Sequence, residues 1–323
     1  MPDYLIRHVT LRQLQVFEAT VRLGSFTRAA EALFLTQPTV SLQMKKLTDV
    51  VGLTLLEQVG RRTRPTEAGQ ALYVACRDMF RTLANLEIKI SDLKGLRCGR
   101  LRLGVITTAK YFVPEVLGEF CRQYPGIDIS LKVTNRDRIV ERIHAGEDDL
   151  YILGSPPTDE LELELETQAF APNPLVVVAG RNHALVGERR LSLARIADEH
   201  LILREPGSGT RDAVIKLFAS EGLKLRVRLE LGSNEAIKHA VVGELGIAIL
   251  SLHTLTLEGV RGPVAVLDVE GFPILRHLYL VHHRGRELSL VAKAFLSFAL
   301  REGPRVRALM SELLKQAGFA SGQ

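Results

Sequence analysis

The sequence predicts two architectures on one chain. An all-α winged helix-turn-helix with a long helix behind it comes first, and an α/β domain of two similar lobes follows. Three observations carry this. Two capped helical patterns stand almost back to back between Ser25 and Val50. An apolar stripe at spacings of three and four then runs from Thr66 to about Gly95. From Gly99 onward short apolar strands alternate with amphipathic helices, the pattern of an open α/β sheet. The length of 323 residues suits two or three domains, and a content of 46% hydrophobic and 24% charged residues is that of an ordinary globular protein.

In chain order, Leu11–Leu23 places Leu14, Phe17 and Val21 on one helical face, and Gly24 ends the helix. Ser25 caps "FTRAAEALF", in which Ala29, Ala30 and Leu33 face inward. Thr36 caps the next helix, with Pro38 in its first turn, where a missing N–H costs nothing. Val40, Met44 and Leu47 form its apolar stripe, and Gly52 closes it. Small residues such as Ala29 and Ala30 let two helices joined by a short turn pack closely. "LLEQVGRRTRPT" reads as a β-hairpin wing around Gly60, and Thr66 caps the long helix. That helix carries Leu72, Cys76, Met79, Leu83, Leu86, Ile90 and Leu93 along one stripe, and a second copy of the chain is its expected cover. "GLRCGR" reads as a hinge. The alternating part runs through "RLRLGVI", "IDISLKV", "DDLYIL", "PLVVVAG", "EHLILRE", "RVRLEL", "LGIAIL", "VAVLDV" and "LRHLYLVHH" as strands, with a closing helix near Glu287–Arg301.

Charge separates the two parts. Residues 1–100 hold 15 Lys/Arg against 9 Asp/Glu, a net of +6, while the remainder nets −1. A polyanion partner for the head follows. In a helix-turn-helix the second helix enters the DNA major groove by its N-terminal turns. Gln37, Pro38, Thr39, Ser41 and Gln43 are its candidate base-facing residues, because amides and hydroxyls match base edges. Lys45 and Lys46 lie later and suit phosphates, as do Arg61, Arg62 and Arg64 of the wing. Ser25, Thr27 and Arg28, at the start of the preceding helix, complete the DNA-facing set.

"FTRAAEALFLTQPTVSLQMKKL" followed by "VGLTLLEQVGRRTRPTEAG" closely resembles the amino-terminal domain of LysR-type transcriptional regulators. The resemblance extends to about Arg301. "TNRDRIVERI" and "EPGSGTR" are most similar to CbbR-type regulators of Calvin-cycle carbon-fixation operons. Many family members carry Arg where this chain has Leu42, and CbbR-like members often have an apolar residue there. The resemblance implies a type 2 periplasmic-binding-protein-like effector domain with a ligand between its lobes. It also implies a duplex DNA operator, a dimer through the linker helix, a tetramer and contact with RNA polymerase. The expected boundaries are 1–66 for the head and 67–95 for the linker helix. The effector domain spans 96–303, with lobe I about 99–168 and 272–303 and lobe II about 169–271; the tail is 304–323. A regulator of another metabolic operon, or a solute-binding protein, is the alternative.

Ligands of open α/β sheets bind beyond the carboxyl ends of strands, where helix N-termini attract anions. Four junctions qualify: Thr107 and Thr108; Asn135 and Arg136; the segment with Arg204, Ser208, Gly209, Thr210 and Arg211; and Ser233 with Asn234. Hydroxyls and arginines there suit an anion with several oxygens. The resemblance suggests a sugar phosphate, phosphoenolpyruvate or a nucleotide, and no cofactor or metal.

Catalysis finds little support. "GSGTRD" lacks the third glycine of a dinucleotide fingerprint, and no G-x-S-x-G elbow occurs. His282 and His283 lack matching metal ligands. Cys76, Cys98 and Cys121 give neither a disulfide framework nor a zinc pattern. Cys98 in the hinge is the one candidate redox responder. Without an apolar run of signal-peptide or membrane-span type, the expected location is cytoplasmic.

Overall fold

The computed structural model describes residues 4–60, 62–93, 98–156 and 164–319. They form two units, Met1–Ile90 and Ser91–Gln323.

The head opens with a five-residue helix, α1 (Tyr4–His8), too short to leave a periodic signal in the sequence. Helix α2 (Leu11–Leu23) starts at a capping box in which Thr10 and Gln13 satisfy each other's backbone N–H groups. It ends at Gly24, which takes the left-handed conformation with φ 61°. Helices α3 (Phe26–Ala32) and α4 (Gln37–Val51) follow, capped by Ser25 and Thr36 as the sequence predicts. Phe17, Ala29, Val40, Leu47 and Leu55 form the core of the head, all at most 1% exposed. The wing is an antiparallel hairpin, β1 (Leu56–Val59) and β2 (Arg62–Pro65). Thr63 N–H donates to Gly24 O at 3.0 Å, tying the wing to the end of α2.

Helix α5 (Glu67–Leu93) serves two purposes. Its first turns belong to the head: Cys76 is fully buried, and Ala68, Leu72, Tyr73 and Phe80 pack on the same core. Burial pushes the Cys76 thiol up to about 11, so this cysteine is an inert core residue. The later positions Met79, Leu83, Leu86 and Ile90 are 40–52% exposed, so the stripe is divided between the head core and an open face.

The second unit has two five-stranded sheets. Strand β3 (Gly99–Ile106) leads into a single 3-10 turn, Thr107–Tyr111, and then α6 (Val113–Gln123). β4 (Ile127–Thr134), α7 (Arg136–Ala145), β5 (Leu150–Leu153) and β6 (Leu165–Pro172) complete the outward pass through lobe I. Lobe II holds β7 (Leu175–Gly180), α8 (Leu193–Ala197), β8 (His200–Arg204), α9 (Gly209–Ser220), β9 (Arg226–Leu231), α10 (Asn234–Val242), β10 (Ile247–Ser251) and β11 (Val264–Val266). A second 3-10 turn, Leu252–Leu255, follows β10. The chain returns through β12 (His277–His283) and ends in α11 (Leu290–Gln316). The strand orders are β4-β3-β5-β12-β6 and β11-β7-β10-β8-β9. Where the chain crosses between lobes, Asn173 N–H donates to Arg276 O at 2.7 Å, and Leu175 and Ile274 exchange two backbone bonds at 3.0 Å.

Two elements differ from expectation. β6 has no strand signature in "LETQAFAP"; pairing with β12 makes it a strand. It stays in lobe I to Pro172, past the expected boundary at 168. The closing helix does not stop at Arg301, because α11 runs through Pro304 to Gln316 as one element, leaving no separate tail from 304. An interior proline costs about 3 kcal/mol. Burial of Val306, Met310 and Leu313 beyond it offsets that cost. Phe295 and Phe298 of α11 lie in the lobe I core, and Met310 and Leu313 in a lobe II core. One helix therefore fastens both lobes.

Gly69 places α5 against the strand side of the head: a methyl group there would come within 2.0 Å of Leu55 O. Gly69→Ala is expected to destabilise the head by about 1–3 kcal/mol, the usual cost of overpacking. Chemical denaturation followed by circular dichroism measures this, and an unchanged midpoint would contradict the packing.

Candidate DNA-reading and anion-binding sites

In the head, α4 turns Val40, Met44 and Leu47 inward, so the opposite face reaches solvent. Gln37, Pro38, Lys45 and Lys46 are exposed, and Thr39, Ser41 and Gln43 are half-buried. Gln37 Nε2 donates to Ser41 Oγ at 3.1 Å, and Thr36 and Thr39 share a hydroxyl bond of 2.8 Å. These local bonds hold the Gln37 amide and the hydroxyls of Thr36, Thr39 and Ser41, each replaceable by a base edge. Leu42 is 51% exposed on this helix, a side chain suited to a thymine methyl group. Ser25 Oγ is spent on the backbone N–H of Arg28 at 3.4 Å, while Thr27 and Arg28 are exposed. Arg64 is exposed on the wing; Arg61 and the side chain of Arg62 lie outside the described residues.

In the second unit a cleft opens between the lobes at the carboxyl ends of the strands. Eight of the sequence-predicted residues line it: Thr107, Thr108, Asn135, Arg136, Arg204, Ser208, Gly209 and Thr210. Three do not. Arg211 is turned away, donating to Arg204 O at 2.9 Å and pairing with Glu230 at 2.6 Å. Ser233 caps α10, accepting from Ala236 N–H at 3.4 Å. Asn234 is buried and receives Nη1 of Arg204 at 2.9 Å. Arg204 itself reaches the cleft, but Glu205 holds its guanidinium at 2.7 and 2.9 Å, so its charge is already matched.

Sequence reasoning missed Ile106, Gly154, Ser155, Asn173 and Arg276. Arg276 matters most. Its Nη1 donates to Gly209 O at 2.8 Å and its Nη2 to Gly154 O at 3.2 Å. Among the described residues no carboxylate pairs with it. Burial, and then the neighbouring Arg136 guanidinium, push Arg276 below the usual arginine range. Arg136 pairs with Asp137 at 3.7 Å. A signal was available in the sequence: Arg276 is a lone cation in the apolar crossover "FPILRHLYL", which two-lobed topology sends past the cleft.

The cleft thus holds two arginines, Arg136 loosely paired with Asp137 at 3.7 Å and Arg276 bonded to backbone carbonyls, with Asp212 offsetting only part of what burial and Arg136 impose on it. Around them stand the hydroxyls of Thr107, Thr108 and Thr210 and the N-terminus of α9. Ser208 is the N-cap residue of α9, yet its side chain makes no capping bond and is 3% exposed, leaving a buried hydroxyl at the cleft wall. Asn135 caps α7, accepting from Arg138 N–H at 3.1 Å. Such a set fits an anion with several oxygens. Among the described residues no group of three metal-ligating side chains occurs. His282 is paired with Glu166 at 3.4 Å and His283 with Ile143 O at 2.8 Å. No helix among the described residues is long and apolar enough to cross a membrane.

Comparison with known proteins gives two matches to family descriptions. "Bacterial regulatory helix-turn-helix protein, lysR family" covers residues 11–70, and "LysR substrate binding domain" covers 94–304. The HTH-type transcriptional activator CmpR of Synechocystis sp. is 54% identical over 91% of this chain and 95% of its own. A RuBisCO operon transcriptional regulator of Acidithiobacillus ferrooxidans is 45% identical over 91% and 94%. Among solved structures, the Synechocystis PCC6803 CcmR regulatory domain in complex with 2-PG is 49% identical, with a TM-score of 0.62, covering 65% of this chain and 99% of its own.

Two substitutions separate base reading from phosphate contact. Gln37→Ala is expected to cost about 1–3 kcal/mol and to relax preference at one base step. Lys46→Ala is expected to weaken binding evenly across sequences and reduce the salt slope by about 1. Fluorescence anisotropy against a panel of duplex variants measures both. Equal affinity of the Gln37 variant for every duplex would remove α4 as the reading helix.

Proposed function

This chain belongs to the LysR family of bacterial transcriptional regulators, and from that premise we propose that it binds operators of carbon-fixation genes under control of a phosphorylated anion. Regulators of this family bind DNA rather than catalyse a reaction, so the cleft is read as a sensor. Support for the target genes comes from relatives named as activators and RuBisCO operon regulators at 45–54% identity. Support for the effector comes from the paired guanidiniums of Arg136 and Arg276, and that observation carries the reading. A phosphate would take a guanidinium from each side, with hydroxyls from Thr107, Thr108, Ser208 and Thr210 on its remaining oxygens. The likeness to a domain solved with 2-PG makes 2-phosphoglycolate the first effector to test.

The open face of α5, with Met79, Leu83, Leu86 and Ile90, is proposed as the dimer contact that places two reading heads on a two-fold operator. Two such dimers would make the tetramer. An anion binding one lobe arrangement better than another shifts the population toward it. Altered spacing of the heads then changes the DNA bend and access of RNA polymerase. A regulator acting on chromosomal operators would work in the cytoplasm.

A thermal-shift screen of phosphorylated metabolites against the full chain tests the effector. At about one hundred times its Kd a ligand adds roughly 2.7 kcal/mol of stability. The expected hit is 2-phosphoglycolate or a close phosphorylated acid, and a response only to unphosphorylated ligands would overturn the reading. Arg136→Met is expected to raise its Kd about 10- to 100-fold, the cost of a lost charge-assisted hydrogen bond, while leaving head–duplex affinity unchanged. Calorimetry showing an unaltered Kd would remove Arg136 from the site.

A further inference from the structure

Beside the cleft the two lobes are joined by side chains that line no part of its wall. Lys110 and Tyr111 end the 3-10 turn after β3 in lobe I, and Glu235 lies in the first turn of α10 in lobe II. Lys110 Nζ donates to Glu235 Oε2 at 2.6 Å, and Tyr111 O–H to Glu235 Oε1 at 2.5 Å. Ser233 O–H adds a third bond to Oε2 at 3.1 Å. Both carboxylate oxygens are therefore occupied, one by a cation and one by a phenol from the opposite lobe. The ammonium groups of Lys110 and Lys238 stand 5.1 and 5.8 Å from the centre of the Tyr111 ring. Lys238 is fixed in turn by Thr254 O at 2.9 Å and Glu258 at 2.6 Å. Burial alone would raise Glu235; the bonds from Lys110 and Tyr111 outweigh it and hold the carboxyl at about 2, so the cluster keeps its charges throughout the physiological range.

Placement gives the cluster its meaning. The five-residue turn Thr107–Tyr111 carries two cleft hydroxyls at its start and both lobe I members of the cluster at its end. On the other side Asn234, which receives Arg204 from the cleft wall, immediately precedes Glu235. The lobe I half of the cluster thus follows closely on Thr108, and the lobe II half adjoins the residue that holds the cleft's Arg204. A ligand that draws in Thr107 and Thr108 moves the segment that holds Lys110 and Tyr111. We propose that Lys110, Tyr111 and Glu235 form an interlobe latch that stabilises the closed arrangement and couples occupation of the cleft to closure. The coupling rests on the effector reading above; the latch as a closure contact does not. Two other contacts across the lobes, Asn135 to Glu205 at 3.4 Å and Asp137 N–H to Gly207 O at 3.2 Å, lie at the cleft itself, while Phe112 packs on the His253 ring at 5.1 Å away from it. Lys110 and Glu235 themselves lie outside the cleft wall, so their ion pair can be altered without replacing a residue that lines it.

A charge-swap cycle on the full chain tests it. Lys110→Glu and Glu235→Lys each break the ion pair, and the double variant restores it with reversed polarity. Two readouts are taken: calorimetric titration with 2-phosphoglycolate, and hydrogen exchange of residues 107–111 and 233–237 without ligand. Each single variant is expected to raise Kd about 3- to 10-fold, because binding is reduced by the fraction of molecules that are closed, and to speed exchange in both segments. The double variant is expected to return both quantities to within about two-fold of the parent. Unchanged single variants, or a double variant as impaired as the two singles combined, would overturn the latch. Should the parent fail to bind 2-phosphoglycolate, the effector reading falls. The exchange arm then still decides the latch: accelerated singles with a restored double uphold it, and equal exchange in all four proteins rejects it.

Discussion

Two guanidiniums sharing one partly closed cleft dominate the chemistry of the second unit. Burial and the neighbouring Arg136 guanidinium disfavour the charge of Arg276, Asp212 relieves it only in part, and Glu205 is held by Arg204. A group so placed weakens its own domain until an anion arrives. That is the physical basis for differential affinity: the ligand stabilises most the arrangement in which both arginines converge, and a population shift needs nothing further.

The surrounding fold makes convergence a property of two bodies. Each lobe has its own sheet and cores, and among the described residues the crossovers near Asn173 and Arg276 and the helix α11 pass between them. Arg136 sits at the start of a lobe I helix, and Arg276 on a crossover, bonded to carbonyls of both lobes at Gly154 and Gly209. Gly207 matters at this meeting. It has φ 84°, and a side chain there would come within 2.9 Å of Asp137 Oδ2. The lobes approach because that position is glycine.

Most of the head was legible because it is built from local signals. Thr36, Gly24 and Gly52 cap helices with the residue types that such positions demand, and the reading helix follows from the turn they define. The α/β alternation was legible for a related reason: β5, β7 and β10 are buried at every position and read as short apolar runs. What escaped was set by distant partners. β6 is a strand because β12 lies beside it, and α11 continues past Pro304 because Met310 and Leu313 find a core far upstream in sequence at Val176 and Val178. Site residues followed the same division. Residues at helix starts in the first lobe, such as Asn135 and Arg136, were recognisable; Asn173 lies on a crossover whose course the folded chain reveals, and Arg276 left only the faint signal of a lone cation in an apolar stretch. Ser233 and Asn234 carried the right residue types at the right kind of junction, yet they support Arg204 and Glu235 and leave the cleft to others.

The central claim is that a phosphorylated anion bridges the two arginines. A crystal structure of the full chain with 2-phosphoglycolate tests it most directly. The account predicts phosphate oxygens about 2.7–2.9 Å from guanidinium nitrogens of both Arg136 and Arg276. A ligand bound in the cleft by one arginine alone, or seated elsewhere on the chain, would contradict it.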